Sequence, residues 1–324
     1  MIDWNEQQQW TVGDIVRRMR EEAKIGLEQL SRGLCSVATL SRIEAGEREM
    51  ELLLAWRIFQ RLGYKIDKYE LYATEEELQQ WEQRSQMEEL VCREDTERLA
   101  CAIQTYRQQW GKRVEENPLQ RQFLAYMQRQ FLAYMQGLLD MQKGDFQEAK
   151  ELLEAAAEEI VPSLEETVGN AALGEMELEI LHALSDIYEH MGEVEKSEKL
   201  REMLLENIGR EKKRVKSYLK LYTELFCKHA RNMMETKGSV RTLNAAETCL
   251  QILQEEKKTC CLPELLHIQA KCLEDLFQKK GEVKEVMLKS WQKAYYIYRL
   301  YEKQEEAEKI RKYLEETYQW DCII

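Results

Sequence analysis

The sequence predicts an all-α protein, and three observations carry that prediction. Turn formers are scarce, with 3 prolines and 14 glycines in 324 residues, too few for the many turns of a sandwich or barrel. The chain is rich in Glu, Lys, Gln, Leu and Ala, which lose little on entering a helix. Apolar positions recur at helical spacing in one segment after another. Charged residues make up 33% and mean hydropathy is −0.61, and no run of 18 apolar residues occurs, so neither a membrane-spanning helix nor a membrane partner is expected. The start, "MIDWNEQQQW", lacks the basic and apolar regions of a signal peptide, so a cytoplasmic location is expected.

The first 72 residues read as about five short helices. "TVGDIVRRMREEAK" places Val12, Ile15, Val16 and Met19 at helical spacing, with Thr11 as N-cap. A second helix is expected over Leu27 to Arg32. Ser36 caps a third over Val37 to Ala45, and Gly46 stops it. "ELLLAWRIFQRLGY" forms a fourth, ending near Gly63, and "IDKYELY" a short fifth. Two short helices joined by a tight turn, with a third across them, make a helix-turn-helix. Leu40 and Ile43 share one face and should anchor the third helix. Val37, Ala38, Ser41 and Arg42 then face outward, where a helix in the major groove meets base edges.

"GDIVRRMREEAK…LEQLSRGLCSVATLSRIEAGE" resembles the repressor-type helix-turn-helix of phage repressors and the Xre group, and within it the Rgg/PlcR branch. That branch often shows LS-x-G-[IL]-C-S…LS-[RK]-IE-x-G. It is matched here by Leu30, Ser31, Gly33, Leu34, Cys35, Ser36, Leu40, Ser41, Arg42, Ile43, Glu44 and Gly46. The resemblance implies that Arg20 pairs with Glu44, giving Glu44 a structural role. The candidate DNA contacts are the local basic residues Arg17, Arg18, Arg32, Arg42 and Arg48, with Ser36, Val37, Ala38, Thr39 and Ser41 from the third helix and its cap. Where relatives carry a phosphate-binding Gln, this chain has Leu27 after Gly26.

The net charge of −13 is the wrong sign for a DNA partner. Its distribution removes the conflict. Residues 1–72 carry 11 Lys/Arg and 12 Asp/Glu, whereas residues 73–324 carry 36 and 48. Charges beyond a Debye length of about 8 Å are largely screened, so the local basic residues, Lys24 among them, matter more than the total. The acidic remainder should weaken non-specific binding, which favours a homodimer on an inverted repeat in double-stranded DNA.

The organisation expected is a DNA-binding domain over 1–72, a linker helix over 73–93, and a tetratricopeptide-like helical repeat domain over 94–324. Segments 141–156, 190–205 and 278–295, with a looser 235–250, each pass from one helix through Gly and a short turn into a second helix. Gly144, Gly192, Gly238 and Gly281 recur at a long, near-regular period, the signature of a helical solenoid. Gly144, Asp145, Phe146 and Ala149 resemble the tetratricopeptide consensus. "RQFLAYMQ" stands twice in tandem over 121–136. Eight residues turn a helix by about 800°, so the second copy is rotated by about 80° from the first. Phe123, Met127, Phe131 and Met135, widened by Tyr126 and Tyr134, are expected to be buried inside the solenoid.

No enzyme, metal or cofactor is expected. The histidines His182, His190, His229 and His267 lie in no H-E-x-x-H, and no glycine-rich phosphate loop or G-x-S-x-G occurs. The nine cysteines are odd in number and include no C-x-x-C. Cys260 and Cys261 are too close for tetrahedral zinc, so most of the cysteines are read as small buried hydrophobes. A helix-turn-helix head joined to helical repeats resembles the Rgg/PlcR/PrgX regulators. The resemblance implies a homodimer whose repeats bind a short signalling peptide that alters DNA binding. Side-chain amides suit an extended peptide, so Asn170, Asn207, Asn232 and Asn244 are candidate contacts, with Tyr218 and Tyr222 as walls. The acidic repeats point to a neutral or basic peptide. An interaction scaffold, or a DNA regulator controlled by a protein partner, remain the alternatives at this point.

Overall fold

The computed structural model describes residues 11–50, 52–64, 75–110, 118–161, 168–278 and 285–320. For residues 52–53, 75–78, 81, 118–124 and 170 it describes the backbone alone. Every regular element among them is helical, as the composition requires. The chain forms two compact units, Met1–Ser217 and Tyr218–Ile324. No described helix is long and apolar enough to cross a membrane.

The first unit opens with α1 (Val12–Glu22), α2 (Leu27–Ser31), α3 (Val37–Glu44) and α4 (Leu52–Arg61). Thr11 begins α1 with a capping box. Its Oγ1 accepts from the Asp14 N–H at 3.1 Å, and Asp14 Oδ2 accepts from the Thr11 N–H at 2.9 Å. Helices α1 and α3 meet at Gly13, where an added Cβ would lie 1.9 Å from the Ile43 carbonyl oxygen. Val16, Leu30, Leu40, Ile43 and Ile58 form the core, each no more than 2% exposed. The fifth helix expected over 66–72 lies outside the described residues.

Next come α5 (Glu75–Cys92), α6 (Thr96–Trp110), α7 (Pro118–Lys143) and α8 (Phe146–Ile160). After a 3-10 turn at Val168–Asn170 follow α9 (Glu175–His190), α10 (Val194–Gly209) and α11 (Lys212–Ser217). Helix α5, read from sequence as a linker, is packed: Met87 is buried with Leu99, Ile103, Tyr106 and Phe131. Trp110 Nε1 donates to Gln83 Oε1 at 2.7 Å. Helix α5 is thus packed against α6 and α7. Pairs α7/α8 and α9/α10 turn at Gly144 and Gly192, with φ of 84° and 77°. A side chain is strained in that region whereas glycine is not, which explains the recurring glycine.

The duplicated segment behaves as two different faces of α7. From the first copy, Tyr126 and Met127 leave the repeats and pack into the core of the N-terminal helices, beside Leu30 and Leu34. From the second, Phe131 and Met135 pack with α5 and α6. Burial purely inside the solenoid was the expectation, and the rotation between copies explains the difference. Phe123 is among the side chains not described.

The second unit consists of α12 (Leu219–Lys237), α13 (Ser239–Glu255), α14 (Leu262–Gln278), α15 (Glu285–Leu300) and α16 (Gln304–Tyr318). Consecutive helices pack on one another. Gly238, φ 84°, joins α12 to α13; Gly281 lies outside the described residues. Its core is aromatic, with Trp291, Tyr295 and Tyr298 buried and Tyr313, Tyr318 and Trp320 packed against them. Among the described cysteines only Cys249 and Cys272 are fully buried, while Cys92 and Cys101 are exposed. Burial as small hydrophobes thus holds for fewer of them than the helical pattern suggested.

Candidate nucleic-acid interface

Helix α3 has one face in the core and one face free. Leu40 and Ile43 are 0% and 2% exposed, whereas Val37 is 43% exposed. Ala38, Ser41 and Arg42 are exposed beside it. Ser36 starts the helix, its Oγ accepting from the Thr39 N–H at 3.1 Å. The Thr39 side chain turns to Ser36, with the two hydroxyls 2.9 Å apart, and Thr39 is buried. The outward set is therefore Val37, Ala38, Ser41 and Arg42, with Ser36 at its edge. The two small apolar residues suit thymine methyl groups, and Ser41 and Arg42 can hydrogen-bond to base edges or phosphate.

Arg20 Nε and Nη2 donate to the two Glu44 oxygens, each at 2.7 Å. Nη1 also donates to the Ile25 carbonyl at 3.2 Å. Hydrogen bonding to Glu44 raises the Arg20 pKa above its ordinary value. This fork ties the end of α3 to α1 and fixes the tilt of the outward face, as the resemblance implied. Cys35, half-buried in the turn, is pushed up to about 11 by burial and acts as packing.

The other basic candidates differ in their freedom. Arg17 and Arg18 lie on α1, paired with Glu21 at 3.1 Å and Glu22 at 2.9 Å. Both pairs are exposed, and such pairs hold so weakly that a phosphate can compete. Arg32 is half-buried, 3.7 Å from Glu28. Arg42 is exposed and Arg48 half-buried; neither has an ion-pair partner among the described residues. Lys24 is exposed at a φ of 55°. Gly26, in the departure from the family pattern, donates its N–H to Gln29 Oε1 at 2.9 Å.

Sequence reading missed a buried polar seam that fastens this head to the repeats. Arg61 Nη1 donates to the Leu30 and Arg32 carbonyls at 2.8 and 2.6 Å, at the turn leading to α3. Its Nε donates to Glu177 Oε2 at 3.3 Å, and Nη2 to Glu177 Oε1. Glu177, on α9, also accepts from the Gly174 N–H at 2.6 Å and Tyr126 Oη at 3.0 Å. Burial alone would raise the Glu177 carboxyl, but the charge and hydrogen bonds of Arg61 hold it below the usual range. Beside it, burial pulls Arg57 down to about 10. Arg214 on α11 donates to the Arg61 carbonyl at 2.6 Å and to Asn207 Oδ1 at 3.0 Å. No spacing rule joins residues 61, 177 and 214, so this seam left no sequence signal.

The peptide candidates scatter. Asn207 is buried, its Nδ2 donating to the Val168 and Ala171 carbonyls, each at 2.8 Å. It pins the segment before α9, and its amide is occupied within the fold. The Asn170 side chain is outside the described residues. In the second unit, Tyr218 is buried at the start of α12, and Tyr222 is half-buried, its hydroxyl pushed up to about 12 by burial. Asn232 on α12 is half-buried and Asn244 on α13 exposed. A cleft the sequence did not reveal opens between α6, α7 and α8. It is lined by Arg107, Arg129, Gln130, Leu132, Ala133 and Leu152, among others. Gln130 Oε1 is buried there without a hydrogen-bond partner. No group of three or more potential metal ligands occurs among the described residues.

No model of a known family matches the chain, and no curated protein matches it. Solved structures do. Bacillus thuringiensis PlcR in complex with the peptide PapR7 and DNA is 16% identical with a TM-score of 0.51, covering 92% of this chain and 98% of that one. PlcR in its apo form is 14% identical with a TM-score of 0.51, covering 93% and 98%. The chain has the PlcR fold. Apo ComR from Streptococcus vestibularis is also similar, at 15% identity and a TM-score of 0.46, covering 94% and 96%. At these identities the likeness concerns fold. The PlcR fold accounts for the all-α class and for a helix-turn-helix head followed by helical repeats.

Proposed function

We propose that this protein is a cytoplasmic, sequence-specific DNA-binding transcriptional regulator whose helical repeats bind a short signalling peptide. The observation that carries the reading is α3: a capped helix with a small apolar and basic face turned outward, its tilt fixed by the Arg20–Glu44 fork. The PlcR fold supports it, since the PlcR structure was determined with a peptide and DNA. Residues 1–72 act as the reading head and 94–324 as the sensing domain. Two copies engage an inverted repeat, which compensates for the few base-reading side chains on each.

Peptide binding alters DNA affinity only if the peptide favours one arrangement over another. Arg61 offers a route, because one guanidinium holds both the turn before α3 and Glu177 of the repeats. Tyr222, Asn232 and Asn244 remain peptide-contact candidates, and the cleft at Gln130 is another place for an apolar peptide with a polar end. Selection of genomic fragments on the purified protein tests the DNA half. An inverted repeat with about one-turn half-site spacing is expected, and no enrichment at low salt, with or without culture extract, removes it. Calorimetry with neutral or basic peptides tests the rest. Unchanged affinity in Asn232→Ala removes that residue, and unchanged affinity in Gln130→Leu removes the cleft.

A further inference from the structure

The cleft between α6, α7 and α8 has a chemistry specific enough to name what it takes. Its volume is about 310 Å3. The second copy of the duplicated unit, 129–136, supplies Arg129, Gln130, Leu132, Ala133 and Gln136 to its wall. Each residue turns a helix by about 100°, which sets Leu132, Ala133 and Gln136 on the face of α7 opposite Phe131 and Tyr134. One copy thus fills the core with Phe131 and Met135 and lines the cleft with its other face. Ala133, Ala155 and Ala156 end at Cβ, which keeps the space open.

Gln130 sets the first requirement. It is 2% exposed, and its Nε2 donates to the Ala156 carbonyl at 3.3 Å and to Glu159 Oε2 at 3.2 Å. Those two acceptors fix which end of the carboxamide is the nitrogen. Its Oε1 is buried with no hydrogen-bond partner. An unmade bond to a buried acceptor costs more than a made one gains, so the site favours an occupant that brings an N–H or O–H. The last torsion of a glutamine is soft, and a small turn carries Oε1 to a donor in the cleft.

The rim sets the second requirement. Arg129 Nε and Nη2 donate to the two Glu159 oxygens at 3.3 and 3.2 Å, so that pair is neutral. Arg107, exposed on α6, has no ion-pair partner among the described residues. The lining therefore carries a net positive charge in a region, 73–324, where 36 Lys/Arg face 48 Asp/Glu. A local excess of positive charge in an acidic region favours an anion. Leu132, Leu152 and the alanines make the rest of the wall apolar. Ligand pockets run from about 300 to 1,000 Å3, so this one is sized for a single residue and not for a whole peptide.

We propose that the cleft binds an N-acylated apolar amino acid with a free carboxylate, supplied by the C-terminal residue of a peptide or by a free small molecule. The ligand's amide N–H donates to Gln130 Oε1. Its side chain lies on Leu132, Ala133 and Leu152, and its carboxylate meets Arg107. The peptide source rests on the peptide-sensing reading above; the free molecule does not.

The test is calorimetry on the full-length protein with N-acetyl-leucine, N-acetyl-valine and N-acetyl-phenylalanine. At least one should bind. Its C-terminal amide should bind about tenfold more weakly for want of the charge on Arg107, and its N-methyl derivative about tenfold more weakly for want of the N–H. Arg107→Gln, at an exposed position, should bind acid and amide alike, and Gln130→Leu should bind the N–H and N-methyl forms alike. Comparison of the ligands on the unsubstituted protein decides even where a variant folds poorly. A pentapeptide ending in the same residue, with a free carboxylate, separates the sources. Competition with the N-acetyl compound assigns the cleft to a peptide's C-terminus, and binding without competition assigns the cleft to the free molecule and leaves peptide sensing to another site. No binding of any N-acetyl compound at millimolar concentration, or equal binding of acid and amide to the unsubstituted protein, overturns the proposal.

Discussion

The seam in the first unit and the core of the second are held by opposite chemistry. In the first, Arg61 and Glu177 are buried with Arg57, Tyr126 and Arg214 around them. In the second, Trp291, Tyr295 and Tyr298 pack with His267 and Tyr313, ring centroids of Trp291 and Tyr313 lying 5.2 Å apart. Aromatic packing tolerates small shifts, because each ring gains from burial in any close-packed pose. A buried ion pair does not, since its desolvation is offset only while every donor and acceptor is matched. The polar seam therefore specifies one docking of head on repeats, and the aromatic core supplies bulk stability.

Single substitutions should break the two regions about equally, and rescue should separate them. Glu177→Ala leaves the Arg61 guanidinium buried without its counter-charge and should cost about 3–5 kcal/mol in urea unfolding. Trp291→Ala leaves a cavity and should cost a similar ~3–5 kcal/mol. Adding Arg61→Met to Glu177→Leu should recover part of the seam's loss. Recovery stays incomplete because the Leu30 and Arg32 carbonyls lose their donor. Complete recovery would mean those two bonds contribute nothing.

Acid should sharpen the contrast from the other side. His267, between Trp291 and Tyr298, is lowered to about 4 by burial first and by Lys271 second, with Glu264 opposing. Its folded value lies below the ordinary histidine value of 6.5, so the unfolded chain takes up a proton first as pH falls. The folded state then loses stability from about pH 6.5 down to about 4, by at most ~3 kcal/mol. Thermal melts of His267→Phe should show a shallower pH dependence than the unsubstituted protein over that window. Equal slopes would place the acid sensitivity elsewhere.

Smaller effects are expected within the head. Gly13→Ala forces α1 from α3 and should cost about 1–3 kcal/mol, read by denaturant unfolding and by weaker DNA binding. Arg42→Ala leaves folding intact. It should weaken DNA binding by about 1–3 kcal/mol if Arg42 reads a base. If Arg42 meets phosphate instead, the slope of binding against log salt should fall by about 1.

The head was legible because its signals are local. Thr11 and Ser36 cap, Leu40 and Ile43 alternate with an outward face, and the Arg20–Glu44 pair followed from a motif. Thr39, also a candidate contact, is buried with its hydroxyl turned back to the Ser36 cap, an arrangement set by local packing that its place in the sequence does not signal. The repeat turns at Gly144, Gly192 and Gly238 were legible because only glycine is unstrained at their backbone angles. The turn between α15 and α16 was not, since Glu302 takes a φ of 59° there. Asn207 could not be separated from a surface amide, because its carbonyl partners lie nearly 40 positions away.

The sequence by itself determined the helices, their punctuation and the outward face of α3, all set by interactions within a turn or two of the chain. Tertiary structure decided which faces meet. It sent Tyr126 and Met127 into the head and Phe131 and Met135 into the repeats, although the two copies are identical in sequence. It joined Arg61 to Glu177 across a chain separation that carries no periodicity. Hydrophobic pattern specifies that a face must be buried, and only the packing of whole helices specifies against what.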